Sequence, residues 1–175
     1  MVLAWHLLSR FVVGNAFALA FVGTCVGRTI LIREAQPSDA REIGELLAQL
    51  GYPVNAPEAA QRLARANEAV FVADTERRLV GLLSVWSQLP IARAQPVARV
   101  TAMVVRSEMR GRGIGTALME RAVQWARDAG CEGIELTSGM RAEREPAHRF
   151  YEALGFHRTA YRFWLPVTDD QIERR

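Results

Sequence analysis

The spacing of apolar residues changes several times along this chain, and each change predicts a new element. Residues 30–35 have the composition of a short strand, and residues 36–39 end it and cap a helix. The apolar residues of this helix lie three and four positions apart, at Ile43, Leu46, Leu47 and Leu50. Gly51 ends the helix, and a second helix is predicted over residues 57–67.

The middle of the chain has the composition of strands. Residues 70–73 and 79–86 are apolar runs separated by a polar turn, which predicts an antiparallel hairpin, and residues 98–105 form a third run. Further elements are then predicted: a helix over 114–129, a strand over 133–137, a helix over 147–154 and a last strand over 156–167. The first of these helices has one apolar and one polar face, as expected for a helix that covers a sheet.

The order of these elements predicts the fold class. From residue 30 it is β-α-α-β-β-β-α-β-α-β, which indicates an α/β (α+β mixed-sheet) protein with helices on the faces of the sheet. The consecutive strands before the long helix are expected to be antiparallel neighbours, whereas the helix between the fourth and fifth strands makes that pair parallel. A length of 175 residues suits one domain with a buried core.

Residues 1–28 differ from the rest of the chain, because they contain no acidic residue and only Arg10 and Arg28 as charged residues. Three interpretations stay open: a translation-start artefact, a membrane anchor, or a signal peptide with small residues near Ala18. The apolar run is slightly shorter than the span of about 20 residues that crosses a membrane. We therefore divide the chain into this extension, a domain over residues 29–168 and a polar tail over residues 169–175.

Composition and charge narrow the classes of function. The formal net charge of +3 and the pI near 9.4 suit an acidic small molecule as ligand. The chain has no tract of consecutive basic residues of the kind that indicates a nucleic-acid partner. Cys25 and Cys131 lie far apart, and His6, His148 and His157 lack metal-ligand spacing, so no metal site is predicted.

The candidate chemistry lies in a glycine-rich turn over residues 110–115, between an apolar strand and the long helix. Glycines let the backbone approach a ligand closely, and the N–H groups at a helix start have no helical acceptor, so such a turn suits a phosphate. Arg110 and Arg112 add positive charge. The turn has no Lys for a Walker A loop, and Thr116 and Leu118 stand where a dinucleotide-binding turn needs its third glycine.

Two motifs resemble those of one known family. The segment Arg110-x-x-Gly113-x-Gly115 resembles the acyl-CoA pyrophosphate loop of the GNAT superfamily of N-acetyltransferases. Downstream, the run Tyr-Glu-Ala-Leu-Gly-Phe over residues 151–156 is similar to the Y-E-x-L-G-F motif of the same family. The element order also resembles that of the family, and the likeness covers residues 30–167.

The resemblance implies a splayed central strand pair and acetyl-CoA as co-substrate, with the pantetheine arm lying against the fourth strand. The cofactor-binding residues would be Met103, Val104, Val105, Arg110, Gly111, Arg112, Gly113, Ile114, Gly115 and Thr116. Backbone groups of the first three would hold the arm and polarise the thioester carbonyl, and those of the turn would hold the pyrophosphate.

The resemblance also implies that Tyr151 donates a proton to the departing thiolate. The base that takes the proton of the amine is not evident, because the fourth strand offers only Thr101 where many family members have an acid. Glu135 on the fifth strand and a water relay stay open as alternatives. A second departure is Arg144, which stands where the family often has Asn.

The expected reaction is direct attack of a primary amine, from a small molecule or a peptide, on the thioester of acetyl-CoA. The alternative is a non-catalytic acyl-CoA-binding module of the same fold, membrane-associated if residues 1–28 are a real anchor. We otherwise expect a cytoplasmic protein with no nucleic-acid partner and no metal, and a homodimer stays open.

Overall fold

The computed structural model describes residues 21–25, 28–65 and 67–167. The interpretations of residues 1–20 and of the tail over residues 169–175 therefore lie outside the described residues. The chain divides into two compact units, Met1–Leu136 and Thr137–Arg175, and each is described by itself.

The first unit is built from a sheet and three α-helices within its described residues. In chain order its elements are β1 (Phe21–Cys25), β2 (Arg28–Glu34), α1 (Ala40–Leu50), α2 (Ala56–Arg65), β3 (Ala69–Asp74), β4 (Leu79–Gln88), β5 (Val97–Val105), α3 (Ile114–Asp128) and β6 (Gly133–Leu136). The second unit contains α4 (Glu145–Ala153). The elements predicted between residues 30 and 154 are confirmed with small differences at their ends. Within the described part of the chain, no helix is both long and apolar enough to cross a membrane.

The sheet places each strand beside its neighbour in sequence, in the order β1-β2-β3-β4-β5-β6. The pairs from β1 to β5 are antiparallel and the pair β5–β6 is parallel, which confirms the predicted mixed sheet. The pairing with β6 covers only residues 97–100 of β5, where Leu136 lies opposite Val100. Residues 101–105 of β5 extend beyond β6, which agrees with the splayed strand pair that the resemblance implies.

Helices cover both faces of the sheet. On one face, Ile43 of α1 packs in a buried cluster with Val72 of β3 and Val104 of β5. On the other face, the guanidinium carbon of Arg121 in α3 lies 4.3 Å from the ring centroid of Phe71. Phe71 and Val72 are adjacent in β3, and because side chains of a strand alternate between faces, one contacts α3 and the other the α1–α2 cluster.

Arg33 joins β2, the turn before α1 and the end of β3. Its guanidinium donates to both carboxylate oxygens of Asp39, at 2.7 and 2.9 Å, and to Asp74 at 2.8 and 3.0 Å. Asp39 Oδ2 also accepts the Gln36 N–H at 2.7 Å. The predicted cap is therefore a short 3-10 turn, Pro37–Asp39, that runs into α1. The hydrogen bonds from Arg33 hold the pKa of Asp39 below its ordinary value.

Strand β1 was not predicted. It pairs antiparallel with β2, from Phe21 opposite Ile32 to Cys25 opposite Arg28. The apolar stretch that contains it has neither a helical nor an alternating period, so its sequence does not distinguish a strand from the rest of the extension. Six described residues of the extension, the five of β1 and Arg28 of β2, thus belong to the sheet.

The last strand predicted over residues 156–167 is wrong, because the structure forms no strand there. Phe163 and Trp164 in this segment are 91% and 76% exposed. Aromatic residues favour strands, but a strand also needs a neighbour that takes its backbone hydrogen bonds. The described part of the second unit contains no other strand to act as that neighbour.

Candidate functional site

Arg106 holds the end of β5 against β4 and α1. Its N–H donates to the Val80 carbonyl at 2.9 Å, and its Nε donates to the Leu79 carbonyl at 2.7 Å. Nη2 pairs with Glu45 of α1 at 2.7 Å, and this hydrogen bond lowers the pKa of that carboxyl group. Arg106 is buried, so the chain leaves the strand at a fixed point. Arg106 directly follows β5 in the sequence, and its burial is evident only from the structure.

Two glycines then turn the chain from β5 into α3. Gly111 has a φ of 71° and Gly113 a φ of 78°, both in the left-handed region that disfavours other residues. Around the position where a Cβ of Gly111 would lie, the described residues place no heavy atom within 4 Å, its chain neighbours aside. The backbone of the turn is therefore open to a ligand.

The N–H groups at the start of α3 precede the hydrogen bonds of the helix. Ala117 N–H donates to the Gly113 carbonyl at 3.0 Å, so the N–H groups of Ile114, Gly115 and Thr116 lie in the first turn, where a helix provides no acceptor. The positive end of the helix dipole lies at the same place. Buried Ile114 anchors this helix start, which suits a phosphate or pyrophosphate group.

Arg110 and Arg112 place positive charge beside these amides. Both residues are exposed. Nε of Arg110 donates to the Val105 carbonyl at 3.1 Å, so this side chain folds back over the end of β5. Arg112 lies between the two left-handed glycines. A guanidinium next to backbone N–H groups strengthens an anion site.

The open part of β5 presents backbone groups on the side that β6 does not reach. In an antiparallel pair, residues alternate between bonding to the partner strand and facing away from it. Arg106 N–H bonds to β4, whereas the Val105 carbonyl accepts the Arg110 side chain. By this alternation the N–H and C=O groups of Val105 and Met103 face the open side, and those of Val104 face β4. The side chain of Val104 is buried in the α1–α2 cluster.

A β-bulge begins this open part. Ser84 lies opposite Ala102 and Val85 lies opposite Val100, so Thr101 is the extra residue with no direct partner on β4. Bulges bend a strand and redirect its side chains, and they are frequent next to functional sites.

The bulge brings three oxygen-bearing side chains together. Thr101 Oγ1 donates to Glu68 Oε2 at 2.8 Å and lies 2.8 Å from Ser84 Oγ, which also donates to Glu68 Oε2. Glu68 directly precedes β3, so the cluster joins residues from three neighbouring strands or their ends. Only Thr101 could be singled out from the sequence. A signal for Ser84 was available, because it is the one hydroxyl residue within the apolar run of residues 79–86.

Glu135 lies in a different environment from Glu68. It lies opposite Arg99 in the paired part of β5 and β6, and its Oε1 is 2.8 Å from Arg99 Nη1. Its carboxylate thus helps to join these strands by an ion pair. Within the described residues, His, Cys, Asp and Glu form no cluster of three or more that could hold a metal ion.

In the second unit, the backbone hydrogen bonds at the end of α4 explain the spacing of the residues in the Tyr151 motif. Gly155 has a φ of 89°, and its N–H donates to the Glu152 carbonyl at 2.9 Å. Phe156 N–H donates to the Tyr151 carbonyl at 3.0 Å. These two bonds form a Schellman motif, in which the residue after the left-handed glycine contacts the last helical turn. The Phe156 and Tyr151 rings accordingly meet edge-on, with centroids 5.9 Å apart.

The ring of Tyr151 contacts two aromatic rings of its own unit. The ring of Phe150 lies 5.3 Å from it, also edge-on. Burial raises the pKa of Tyr151, and the positive charge of Arg144 offsets this only in part. The phenol therefore keeps its proton at neutral pH. Arg144, the departure from the usual Asn, acts on the same tyrosine through its charge.

Residues 34–156 match the model of the Acetyltransferase (GNAT) family, a range that contains β5, the glycine turn and the Tyr151 motif. Over 134 residues the chain is 34% identical to an aminoglycoside N(6')-acetyltransferase type 1 of Stenotrophomonas maltophilia, covering 73% of this chain and 86% of that protein. Over 85 residues it is 35% identical to an aminoalkylphosphonate N-acetyltransferase of Salmonella typhimurium, covering 49% of this chain and 54% of that protein. The crystal structure of a Trypanosoma brucei acetyltransferase is similar with a TM-score of 0.68 and 28% identity, covering 79% of this chain and 99% of that chain.

Proposed function

The chain belongs to the acetyltransferase (GNAT) family, and from this premise we propose that it transfers the acetyl group of acetyl-CoA to a primary amine by direct attack on the thioester. As a member of this family it is an acyltransferase. The observation that carries the finer proposal is the open part of β5, which continues into the left-handed glycine turn and the start of α3. One stretch of chain thereby offers hydrogen-bonding groups for an extended arm and amides for a pyrophosphate.

The turn fits the pyrophosphate of acetyl-CoA. In the proposed complex the pyrophosphate lies against the residues of this turn and of the start of α3: Arg110, Gly111, Arg112, Gly113, Ile114, Gly115 and Thr116. Backbone N–H groups and the helix dipole bind the anion, and the two arginines balance its charge. A side chain in place of Gly111 would enter the open space in front of the backbone.

The open part of β5 fits the pantetheine arm. The outward N–H and C=O groups of Met103 and the outward N–H of Val105 would pair with its amides as a neighbouring strand does. One of these N–H groups would also polarise the thioester carbonyl, where negative charge develops during attack. Val104 supports this edge from the core, because its side chain is buried.

Tyr151 is proposed as the acid that protonates the CoA thiolate when the C–S bond breaks. Its raised pKa keeps the phenol protonated throughout the neutral range, so the proton to be donated is present in every turnover. The evidence for this role is the motif together with the burial of the phenol.

The acceptor is proposed to be a small-molecule amine, with a peptide amine as the alternative. Two relatives are named for acetylation of aminoglycosides and of aminoalkylphosphonates. These two acceptor classes have the amine in common, and the proposal extends no further than that shared group.

Calorimetry with acetyl-CoA, followed by detection of free CoA thiol, tests the proposal. The acceptors are an aminoglycoside with a free 6'-amine, an aminoalkylphosphonate and a lysine-containing peptide. We expect acetyl-CoA to bind and at least one amine to release CoA. Gly113→Ala places a Cβ at a φ of 78° and should weaken acetyl-CoA binding about tenfold. Gly51→Ala creates comparable strain at a φ of 97°, but at the end of α1, and should leave binding unchanged.

Two results would contradict the proposal. Binding without CoA release for every amine would indicate the non-catalytic acyl-CoA-binding module instead. Absence of binding would exclude both functions.

A further inference from the structure

Acetylation of an amine requires a group that takes up a proton, because a primary amine has a pKa of about 10 and is protonated at neutral pH. We propose that the Glu68 carboxylate, hydrogen-bonded to Ser84 and Thr101, is that group and binds the ammonium of the acceptor. The inference rests on the proposed function and adds the residue that makes the amine nucleophilic.

The position of the cluster supports this role. Thr101 is exposed and stands where β5 leaves β6, at the start of the part proposed to hold the pantetheine arm. Met103, whose backbone groups face the open side, is two residues farther along the strand, which corresponds to about 7 Å. The Glu68 carboxylate therefore lies beside the position proposed for the thioester, within the same unit.

The charge of Glu68 is available to a ligand in a way that other nearby charges are not. The Glu135 carboxylate is paired with Arg99, and the Glu45 carboxylate is paired with Arg106. The partners described for Glu68 are hydroxyl groups, which orient the carboxylate without neutralising it. A cationic amine is the partner that such an oriented negative charge attracts.

The proton count in the cluster leaves room for one more proton. Three oxygens, Glu68 Oε2, Ser84 Oγ and Thr101 Oγ1, are all within hydrogen-bond contact of one another. The two hydroxyls supply one proton each, so one of the three contacts has no proton while Glu68 is ionised. A proton taken from the acceptor completes the ring, with each oxygen donating to the next.

The reaction balances with this assignment. The ammonium group gives one proton to Glu68, and the resulting amine lone pair forms the new C–N bond. The C–S bond breaks, and the second proton that the nitrogen loses as the amide forms balances the one proton that the CoA thiolate takes up. Glu68 then returns its proton to water, so one proton is released for each acetyl group transferred.

The test uses Glu68→Gln in the full-length chain, with the panel amine that the wild type acetylates as acceptor. At about pH 7 we expect kcat/KM to fall about 10²-fold or more, with acetyl-CoA affinity unchanged. Near pH 9 more of the acceptor arrives as the neutral amine, so the difference from the wild type should narrow by about tenfold or more. If Glu68 has only a structural role, the loss of kcat/KM in Glu68→Gln should be the same at every pH.

Glu58→Gln is the matched control. Glu58 lies on α2, its carboxylate is 2.7 Å from Arg62, and the pair is exposed. Removing this charge should leave kcat/KM and its pH profile unchanged.

Each result of these experiments either supports or overturns the assignment of Glu68. Unchanged kcat/KM in Glu68→Gln, or a loss that stays constant with pH, would overturn the assignment while leaving the proposed acetyl transfer intact. A wild type that acetylates none of the amines overturns the proposed function and this inference together. If Glu68→Gln does not fold, Thr101→Val decides at an exposed position: loss of the hydroxyl that orients the carboxylate should lower kcat/KM about tenfold at pH 7, with a smaller loss near pH 9 and unchanged acetyl-CoA affinity. An unchanged kcat/KM at pH 7 would exclude Glu68.

Discussion

Tyr151 shows how a single residue can be fixed by the end of its helix. The left-handed Gly155 lets the chain reverse, and the reversal brings the ring of Phe156 against the ring of Tyr151. The motif therefore sets the position of this ring relative to the end of α4. Burial of the phenol raises its pKa.

We expect Tyr151→Phe to lower kcat about 10²-fold, since it removes the proposed acid but keeps the aromatic contacts. Acetyl-CoA affinity, measured by calorimetry, should not change. Because the pKa of Tyr151 is raised, the wild-type rate should show no alkaline decline from this phenol below its ordinary value of about 10. Tyr161→Phe, at an 81% exposed position, is the control. Equal turnover of the two variants would remove Tyr151 from the chemistry.

The proposed site residues that the sequence predicts lie close together in the chain, whereas those that it does not predict lie far apart. Residues 103–116 form one continuous stretch, so their spacing alone identifies the turn. Glu68, Ser84 and Thr101 meet only through strand pairing and a bulge, and no local pattern predicts a bulge at Thr101. Arg106 was missed for a related reason, because an arginine buried by contacts with β4 and α1 looks like any surface arginine in the sequence.

At the scale of elements, the close contact between β4 and α3 determines where the glycine turn lies. A Cβ built on Gly81 of β4 would be 2.9 Å from Leu118 Cδ1 and 3.3 Å from Ile114 Cγ2. Both of those residues are buried in α3, and Ile114 is its first residue. Because Gly81 has no side chain, the start of α3 can pack closely against β4.

Gly81→Ala should lower the free energy of unfolding by about 1–3 kcal/mol, because the Val104 carbonyl, at 3.3 Å, restricts movement on the other side of the new methyl. Urea unfolding measures the loss, and calorimetry should show weaker acetyl-CoA binding as α3 shifts. Gly133→Ala on β6 introduces the same methyl where the described residues, its chain neighbours aside, place no heavy atom within 4 Å. Equal free energies of unfolding for the two variants would mean that α3 moves to accommodate the methyl at position 81 without a loss of stability.

Hydrophobic periodicity in the sequence predicts some of these elements but not others. The long amphipathic helix and the hairpin β3–β4 were predicted because each buries one face, and burial leaves a period in the sequence. β1 lies in an apolar stretch that shows no such period, and the strand over residues 156–167 was predicted from its aromatic residues. Strand formation there depends on a partner, and β1 has one in β2 whereas the later segment has none among the described residues of its unit.

At the scale of the whole molecule, the first unit has a charged network whose strength varies with pH. Arg33 connects Asp39 with Asp74, and thus a turn and two strands. The pKa of Asp39 is lowered by this contact. Its stabilising effect is fully present above the ordinary carboxyl pKa of about 4 and is lost as the pH falls through the lowered pKa.

Asp39→Asn should therefore lower the free energy of unfolding by about 2 kcal/mol at neutral pH, because Arg33 loses a charged partner and keeps only Asp74. The difference from the wild type should shrink as the pH is lowered below about 4. Urea unfolding across this range measures both effects. Asp128→Asn, an exposed position at the end of α3, should differ little from the wild type at any pH. A difference that stays constant down to acid pH would show that Asp39 contributes through its shape and not its charge.

The bulge at Thr101 has a consequence for how such a chain can change over time. It separates the stretch proposed to hold CoA, residues 103–116, from the proposed amine-binding cluster of Glu68, Ser84 and Thr101. Substitutions around the proposed base would change the surroundings of the amine without changing the stretch proposed to hold CoA. A lineage that keeps Glu68 could therefore adapt to a different amine by point mutation, while the CoA-binding stretch is inherited unchanged.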